Sequence, residues 1–380
     1  MEGYPGDLEV ERRYPELDTG YFDNPIPIIA NCVTTFYKEF NDRILHNGKG
    51  FDGAKLMDLA RYSLSEYSVL NIENLLHVVM CAVIMTLLRY ALDFLLFKRM
   101  PGWLELNEEN GSKFPESCWK GLAYLFTWIW SIYIIVTRPR IFFEPDCHWS
   151  DWRPGLAITP DVYWLYMVQM GFYLHCVYAT LFIETRRKDF LVLMIHHFLT
   201  LSLLLFSFAV RFHKIGLIVL FLHDIGDVML ELSKTVVYCK YRGKKERPYI
   251  ETAANILFLL FTAEWIWFRL YWFPVKVIYS SAAVSVIVYP GGPFYFAFNI
   301  MLTVLYIMQV YWFGFIVALI MRVMVGGKVE DIREDLPSDE TENKENKQAV
   351  AAGSNEPEDA GKPASGTPKT RKRKPKAGTS

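Results

Sequence analysis

A chain of 380 residues that is 52% hydrophobic and 16% aromatic, with a mean hydropathy of +0.15, is too apolar for an ordinary soluble protein. The formal net charge of −1 excludes little, but the placement of the charges along the chain is informative. The composition points to several membrane spans.

The first twenty residues, MEGYPGDLEVERRYPELDTG, are acidic and polar, and no basic region leads into an apolar one. A cleavable signal peptide is therefore not expected, and the first span serves for targeting. Residues 1–70 read as a mixed, amphipathic segment. A span needs about 20 mostly apolar residues to cross a ~30 Å hydrocarbon core. Seven stretches qualify, at 75–97, 120–136, 162–183, 190–210, 216–236, 253–273 and 294–325. The fold class expected is an all-α polytopic membrane protein.

Between spans three and four lies ETRRKD, and between spans five and six lies CKYRGKKERPY. The segment 274–293, expected as a loop, carries only Lys276. The positive-inside rule puts both basic loops and the C-terminus in the cytosol, and seven spans then leave the N-terminus in the lumen or outside. On that topology the sequon Asn110-Gly111-Ser112 is cytosolic and unused. The six cysteines are scattered without a CxxC and read as packing residues. Residues 326–380 turn abruptly to Lys, Glu, Pro, Gly, Ser and Thr, a composition expected to be disordered. Its TRKRKPK could be read as a nuclear signal, but on a multispanning chain it fits contact with anionic lipid better. Membrane lipids are thus an expected partner and nucleic acid is not.

Two spans are unusually polar. Span four carries adjacent histidines, His196 and His197, in LMIHHFLTL. Span five reads GLIVLFLHDIGDVMLELSKTVVY and carries His223, Asp224, Asp227, Glu231 and Lys234. Steps of three and four residues put these groups along one helix face. Such a face cannot point at lipid, so it lines the bundle interior or a water-filled cavity. Only RFHKI separates the two spans, which makes them antiparallel neighbours, with their polar groups converging in the cytosolic half. Hydrogen bonding between helices is the plainer reading of any one such residue; seven ionisable groups on two adjacent helices favour a functional cavity.

A metal centre is not expected. The chain has eight histidines and no HxxxH or HxxHH, and adjacent histidines point ~100° apart on a helix. Acid–base and nucleophilic chemistry suits the pair better: imidazole can take an acyl group, and a nearby carboxylate can orient the ring.

The segment HHFLTLSLLLFSFAVRFHKIGLIVLFLHDIGDVMLELSKTVVY resembles the Lag1 motif of ceramide synthases, within the TLC domain. The matching pattern is the His pair, then Arg211 and Gly216, then His223, Asp224, Asp227, Leu230, Glu231 and Lys234. It continues through RLYWFPVKVIYSSA and PFYFAFNIMLTVLYIMQVYWF, covering roughly 75–325. The interval 98–119 is too short for the homeobox-like domain of many animal members, so the chain resembles the type that lacks it and favours stearoyl-CoA. The resemblance implies a six-helix barrel over 120–325 around a cavity, preceded by a first span and short loop over 71–119, in the endoplasmic reticulum membrane. It implies N-acylation of sphinganine or sphingosine by fatty acyl-CoA, which is a substrate; no cofactor is expected.

On this reading His196, His197, Asp224 and Asp227 carry the catalysis, supported by His223, Glu231, Lys234 and Arg211. The basic loops offer Arg186, Arg187, Lys188, Lys240, Arg242, Lys244, Lys245 and Arg247 to the phosphates of CoA, or they only set topology. The segment 274–293 is expected to cap the lumenal end of the cavity and to measure the acyl chain. Two other classes stay open: a translocon-associated TLC-domain protein without enzymatic activity, and a lipid transporter. The sequence does not choose between a monomer and a homo- or heterodimer.

Overall fold

A computed structural model describes residues 15–20, 22–45, 65–184, 188–242 and 245–325, all of them in one compact unit, Met1–Asp335. The expected disordered tail, and Arg186, Arg187 and Lys244, lie outside the described residues.

Helix α1, Pro25–Arg43, begins where Asn24 accepts from the Ile26 amide, and its Phe36 packs on Tyr295 and Phe296. Seven long helices follow. They are α2, Ile72–Leu92; α3, Glu108–Thr137; α4, Pro160–Phe182; and α5, Phe190–Ala209. Then come α6, His213–Tyr238; α7, which starts as Pro248–Glu264; and α8, Tyr295–Met324. A two-residue hairpin, Tyr241–Arg242 against Lys245–Glu246, joins α6 to α7. Six of the seven long helices are long and apolar enough to span a bilayer; α6 fails only because it carries the charged face. The chain is an all-α, multi-pass membrane protein.

The expected loop at 274–293 is mostly helix. Beyond Glu264 the chain continues as wide, π-type turns over Trp265–Ile278 and Ser280–Val284, then Ser285–Val288. Pro274 is accommodated because wide turns re-satisfy backbone groups that a proline frees. The polar residues that suggested a loop are paired inside. Asn299 donates to the Ser281 carbonyl and accepts from its hydroxyl, while Trp149 donates to the Ser280 carbonyl. Lys276 donates to the carbonyls of Thr19 and Gly20 and to the Thr19 hydroxyl, at 2.7–2.8 Å, tying the N-terminal segment to α7.

The connection from α3 to α4 closes the same end. His148 contacts the Ser280 hydroxyl at 2.6 Å and donates to the Ile141 carbonyl, and burial pushes its imidazole down to about 3. Burial pushes the neighbouring Cys147 thiol up to about 12, which makes it an inert packing group. Arg211 takes a left-handed conformation, φ 66°, in the turn from α5 to α6, where it donates to the Phe208 carbonyl.

Close helix approach depends on small residues. A Cβ at Gly171 of α4 would sit 2.5 Å from Cys81 Cβ and 2.8 Å from the Ala82 amide nitrogen of α2. Just past the end of α4, Glu184 bridges Arg89 of α2 (3.2 Å) and Lys120 of α3 (2.7 Å). Gly171→Ala must push α2 outward, because backbone atoms cannot yield as a side chain can. The expected loss is about 1–3 kcal/mol, read as a lower thermal midpoint of the detergent-purified protein.

Candidate active site

The polar helices meet at a cavity of about 370 Å³ that runs from the His pair to the end of the bundle where α3 begins and α6 ends. All six helices from α3 to α8 contribute to its wall. His196 is the seventh residue of α5, about 9 Å along the helix at 1.5 Å per residue. The His196 and His197 rings lie 5.9 Å apart, and Trp312 of α8 stands edge-on to His196 at 5.1 Å. Tyr173 of α4 packs against both rings. Among the described residues neither imidazole makes a hydrogen bond, although both Nδ1 atoms are buried. Each ring therefore lines the cavity with neither nitrogen committed to a protein partner.

The aspartates of α6 part company. Asp227 faces the cavity and pairs with Nη2 of Arg269 at 2.9 Å. Asp224 is fully buried and is not among the cavity-lining residues; it accepts from Thr127 of α3 at 2.9 Å and from Gln169 of α4. His223 also lies off the cavity, with Nδ1 donating to the Val219 carbonyl and its ring against Phe273. Glu231 and Lys234 line the wall and pair at 3.2 Å. Arg211 is in the turn at the opposite end of α5. Thr200 is buried but does not line the cavity.

Among the described loop cations, only Lys240 lines the cavity; it is buried and pairs with Glu251 at 3.0 Å. Arg242 forms a two-pronged pair with Glu105, whose carboxyl it holds below the usual carboxylate range. Arg247 donates to the carbonyls of Leu104 and Cys239, and Lys188 and Lys245 are exposed. Two cavity cations were not singled out in the sequence, Lys113 and Lys120 of α3. Arg269 was missed as well, although a lone arginine in the aromatic run WIWFRLYWF is the signal that a buried partner exists. Among the described residues no three His, Cys, Asp or Glu side chains gather closely enough to hold a metal ion.

The wall has two characters. Lysines, asparagines and carboxylates come from α3 and α6, while Phe258, Phe261 and Trp265 of α7 and Trp312, Phe315 and Ile316 of α8 face them. On the far side of the His pair the bundle is filled by side chains such as Leu203, Phe208, Phe273, Leu302 and Leu305. No residue of 274–293 lines the cavity, so the expected lumenal cap on it is not what that segment forms.

This bundle, with its imidazole pair beside an anionic helix face, agrees with the comparisons to known proteins. The model of the TLC domain matches residues 113–318. Human "Ceramide synthase 1" is 41% identical over 279 residues, covering 73% of this chain and 80% of that protein. The mouse protein of the same name is 40% identical over the same shares, and "Ceramide synthase LOH2" of Arabidopsis thaliana is 34% identical over 67% of this chain and 88% of its own. The chain belongs to the TLC-domain family and, within it, to the ceramide synthases of the Lag1 type.

Asn110 lines the cavity mouth and donates from Nδ2 to the Tyr238 carbonyl at 3.2 Å, so the nitrogen a glycan would need is engaged. Endoglycosidase treatment of the chain expressed in eukaryotic cells should leave its gel mobility unchanged, as should Asn110→Gln; a shift with the enzyme would contradict this placement.

Proposed function

We propose that the chain transfers the acyl group of a fatty acyl-CoA to the amine of sphinganine or sphingosine at the His196–His197 pair, in the endoplasmic reticulum membrane. The observation that carries this reading is a cavity lined by two unengaged imidazoles and by a carboxylate, Asp227, with cations at one end and an aromatic wall along one side.

An imidazole nitrogen of His196 or His197 attacks the thioester carbonyl carbon. A carbon–nitrogen bond forms, the carbon–sulfur bond breaks, and the CoA sulfur takes the imidazolium N–H proton. The sphingoid amine then attacks the acyl-imidazole, the amide bond forms, and the amine's displaced proton returns to the ring. Asp227 stabilises the positive charge that develops on imidazole and on the attacking nitrogen. The balance is one amide and one thiol from one thioester and one amine. A second route, direct attack with imidazole as general base, uses the same residues without the covalent stage.

The polar end of the cavity is read as the cytosolic end, following the basic loops, with the N-terminus in the lumen and the C-terminus in the cytosol. Lys113 and Lys240 stand there to meet phosphate groups, and Lys120 and Lys234 lie on the same wall. No cofactor enters the scheme. The oligomeric state, including a homo- or heterodimer, is left to measurement.

His196→Ala and His197→Ala should each reduce N-acylation of labelled sphinganine by purified protein at least ~100-fold while leaving membrane insertion intact. Mass spectrometry after acyl-CoA without amine should find an acyl adduct on one of them. Near-normal turnover in both variants would remove the His pair from the reaction, and the lack of an adduct with full turnover would favour direct attack.

Stearoyl-CoA is the proposed preferred donor, supported by the likeness to the ceramide synthase type without a homeobox-like domain. The apolar wall, rather than 274–293, is then the place where chain length is sensed. Phe261→Ala should shift the product profile toward longer amides, and by a graded amount, since a methylene in a hydrophobic pocket is worth ~1–3 kcal/mol. An unchanged profile in an active variant would move the sensing elsewhere.

A further inference from the structure

Arg269 lies within α7, among aromatic residues, and is buried. A guanidinium placed there carries a desolvation cost of several kcal/mol unless its donors are met. Three contacts engage both Nη groups, while among the described residues Nε is left buried without a hydrogen-bond partner. Nη2 donates to Asp227 Oδ1 at 2.9 Å and to the His223 carbonyl at 2.6 Å, and Nη1 donates to Gln309 Oε1 of α8 at 2.9 Å. The flat face of the group lies 4.2 Å over the Trp265 ring.

The backbone of α6 is shaped for this group. Gly226 has no side chain, and a Cβ there would sit 2.6 Å from Arg269 Nε. The guanidinium thus lies against the helix turn between His223, whose carbonyl it holds, and Asp227, whose carboxylate it holds. Both Arg269 and Asp227 line the cavity, and α8 supplies Trp312, packed on His196, one turn beyond Gln309. One rigid, planar cation therefore joins α6, α7 and α8 at the level of the His pair.

We propose that Arg269 is a positioning residue for the acyl transfer: held by Gln309, Trp265 and the His223 carbonyl, it fixes the direction in which the Asp227 carboxylate faces the His pair. This inference rests on the acyltransferase reading given above. It assigns Arg269 no contact with substrate. The fork geometry matters, because a guanidinium meets two acceptors in fixed directions, whereas an ammonium is a point charge. A carboxylate in the right place but turned away loses transition-state stabilisation and leaves substrate binding almost untouched.

The test is steady-state kinetics on the full-length protein in detergent or nanodiscs, with acyl-CoA and sphinganine varied separately. For Arg269→Ala, kcat should fall on the order of 100-fold with both KM values within about 3-fold of wild type. Guanidinium or methylguanidinium in the buffer should restore part of kcat in Arg269→Ala and none in Asp227→Asn. Arg269→Lys should stay close to Arg269→Ala. In the double variant the two losses should not multiply, since both act through one carboxylate. Should Arg269→Ala fail to fold, Gln309→Leu reads the same device from its anchor, with kcat down on the order of 10-fold, KM unchanged and a lowered thermal midpoint in a protein that is still folded. Normal kcat in a folded Arg269→Ala or Gln309→Leu, a loss confined to KM, or multiplying losses would overturn the proposal. Wild-type protein without N-acyl transfer would instead overturn the acyltransferase reading.

Discussion

Hydrocarbon cannot solvate a carboxylate, and α6 brings three of them, Asp224, Asp227 and Glu231, into a bundle bordered by lipid-facing helices. Each needs a partner from another direction, and the partners determine how the helices sit. Arg269 of α7 answers Asp227, Thr127 and Gln169 answer Asp224 from α3 and α4, and Lys234 answers Glu231 from within α6. Breaking such a buried pair by removing one member leaves an uncompensated charge, which costs about 3–5 kcal/mol, more than the pair contributes when intact. The polar face of α6 is therefore a register device: α3, α4 and α7 can be slid or turned around it only by leaving a charge unanswered.

The same constraint separates the two aspartates of α6. Asp224 accepts from two neutral donors, both through Oδ2, and is closed off from the cavity, whereas Asp227 keeps part of its surface there. The imidazoles of α5 are packed by Tyr173 and Trp312 through their ring faces rather than held through their nitrogens. Packing fixes where the rings are and leaves their chemistry to whatever enters the cavity.

The helices were legible in the sequence because apolar runs of span length have few other uses. The polar face of α6 was legible because steps of three and four residues are specific to a helix. What the spacing could not give was depth around the face. Asp224 and Asp227 differ by ~60° about the helix axis, which suffices to turn one toward α3 and α4 and the other into the cavity. Arg269 was overlooked for a related reason: one cation in an aromatic run signals a buried partner without naming it, and only the fold shows that the partners are Asp227 and Gln309. The segment 274–293 misled in the opposite direction. Pro274, Lys276 and the serines look like loop chemistry, yet the serines and Lys276 find acceptors and donors in the α3–α4 connection, the N-terminal segment and Asn299.

The turn between α5 and α6 has a mechanical consequence. It spans only Val210–Phe212, with Arg211 in the left-handed region, the Val210 carbonyl accepting from Trp152 and the Ala209 carbonyl from the Val69 amide. So short a link, held from two outside directions, lets neither helix rotate without the other. The His pair and Asp227 thus ride on a single stator, which sets the spacing of their backbones. Breathing that admits a long hydrocarbon chain is cheapest at α8, whose share of the cavity wall is Trp312, Phe315, Ile316 and Leu319, whereas α7 is tied to Asp227 through Arg269 and cannot part without stranding a charge.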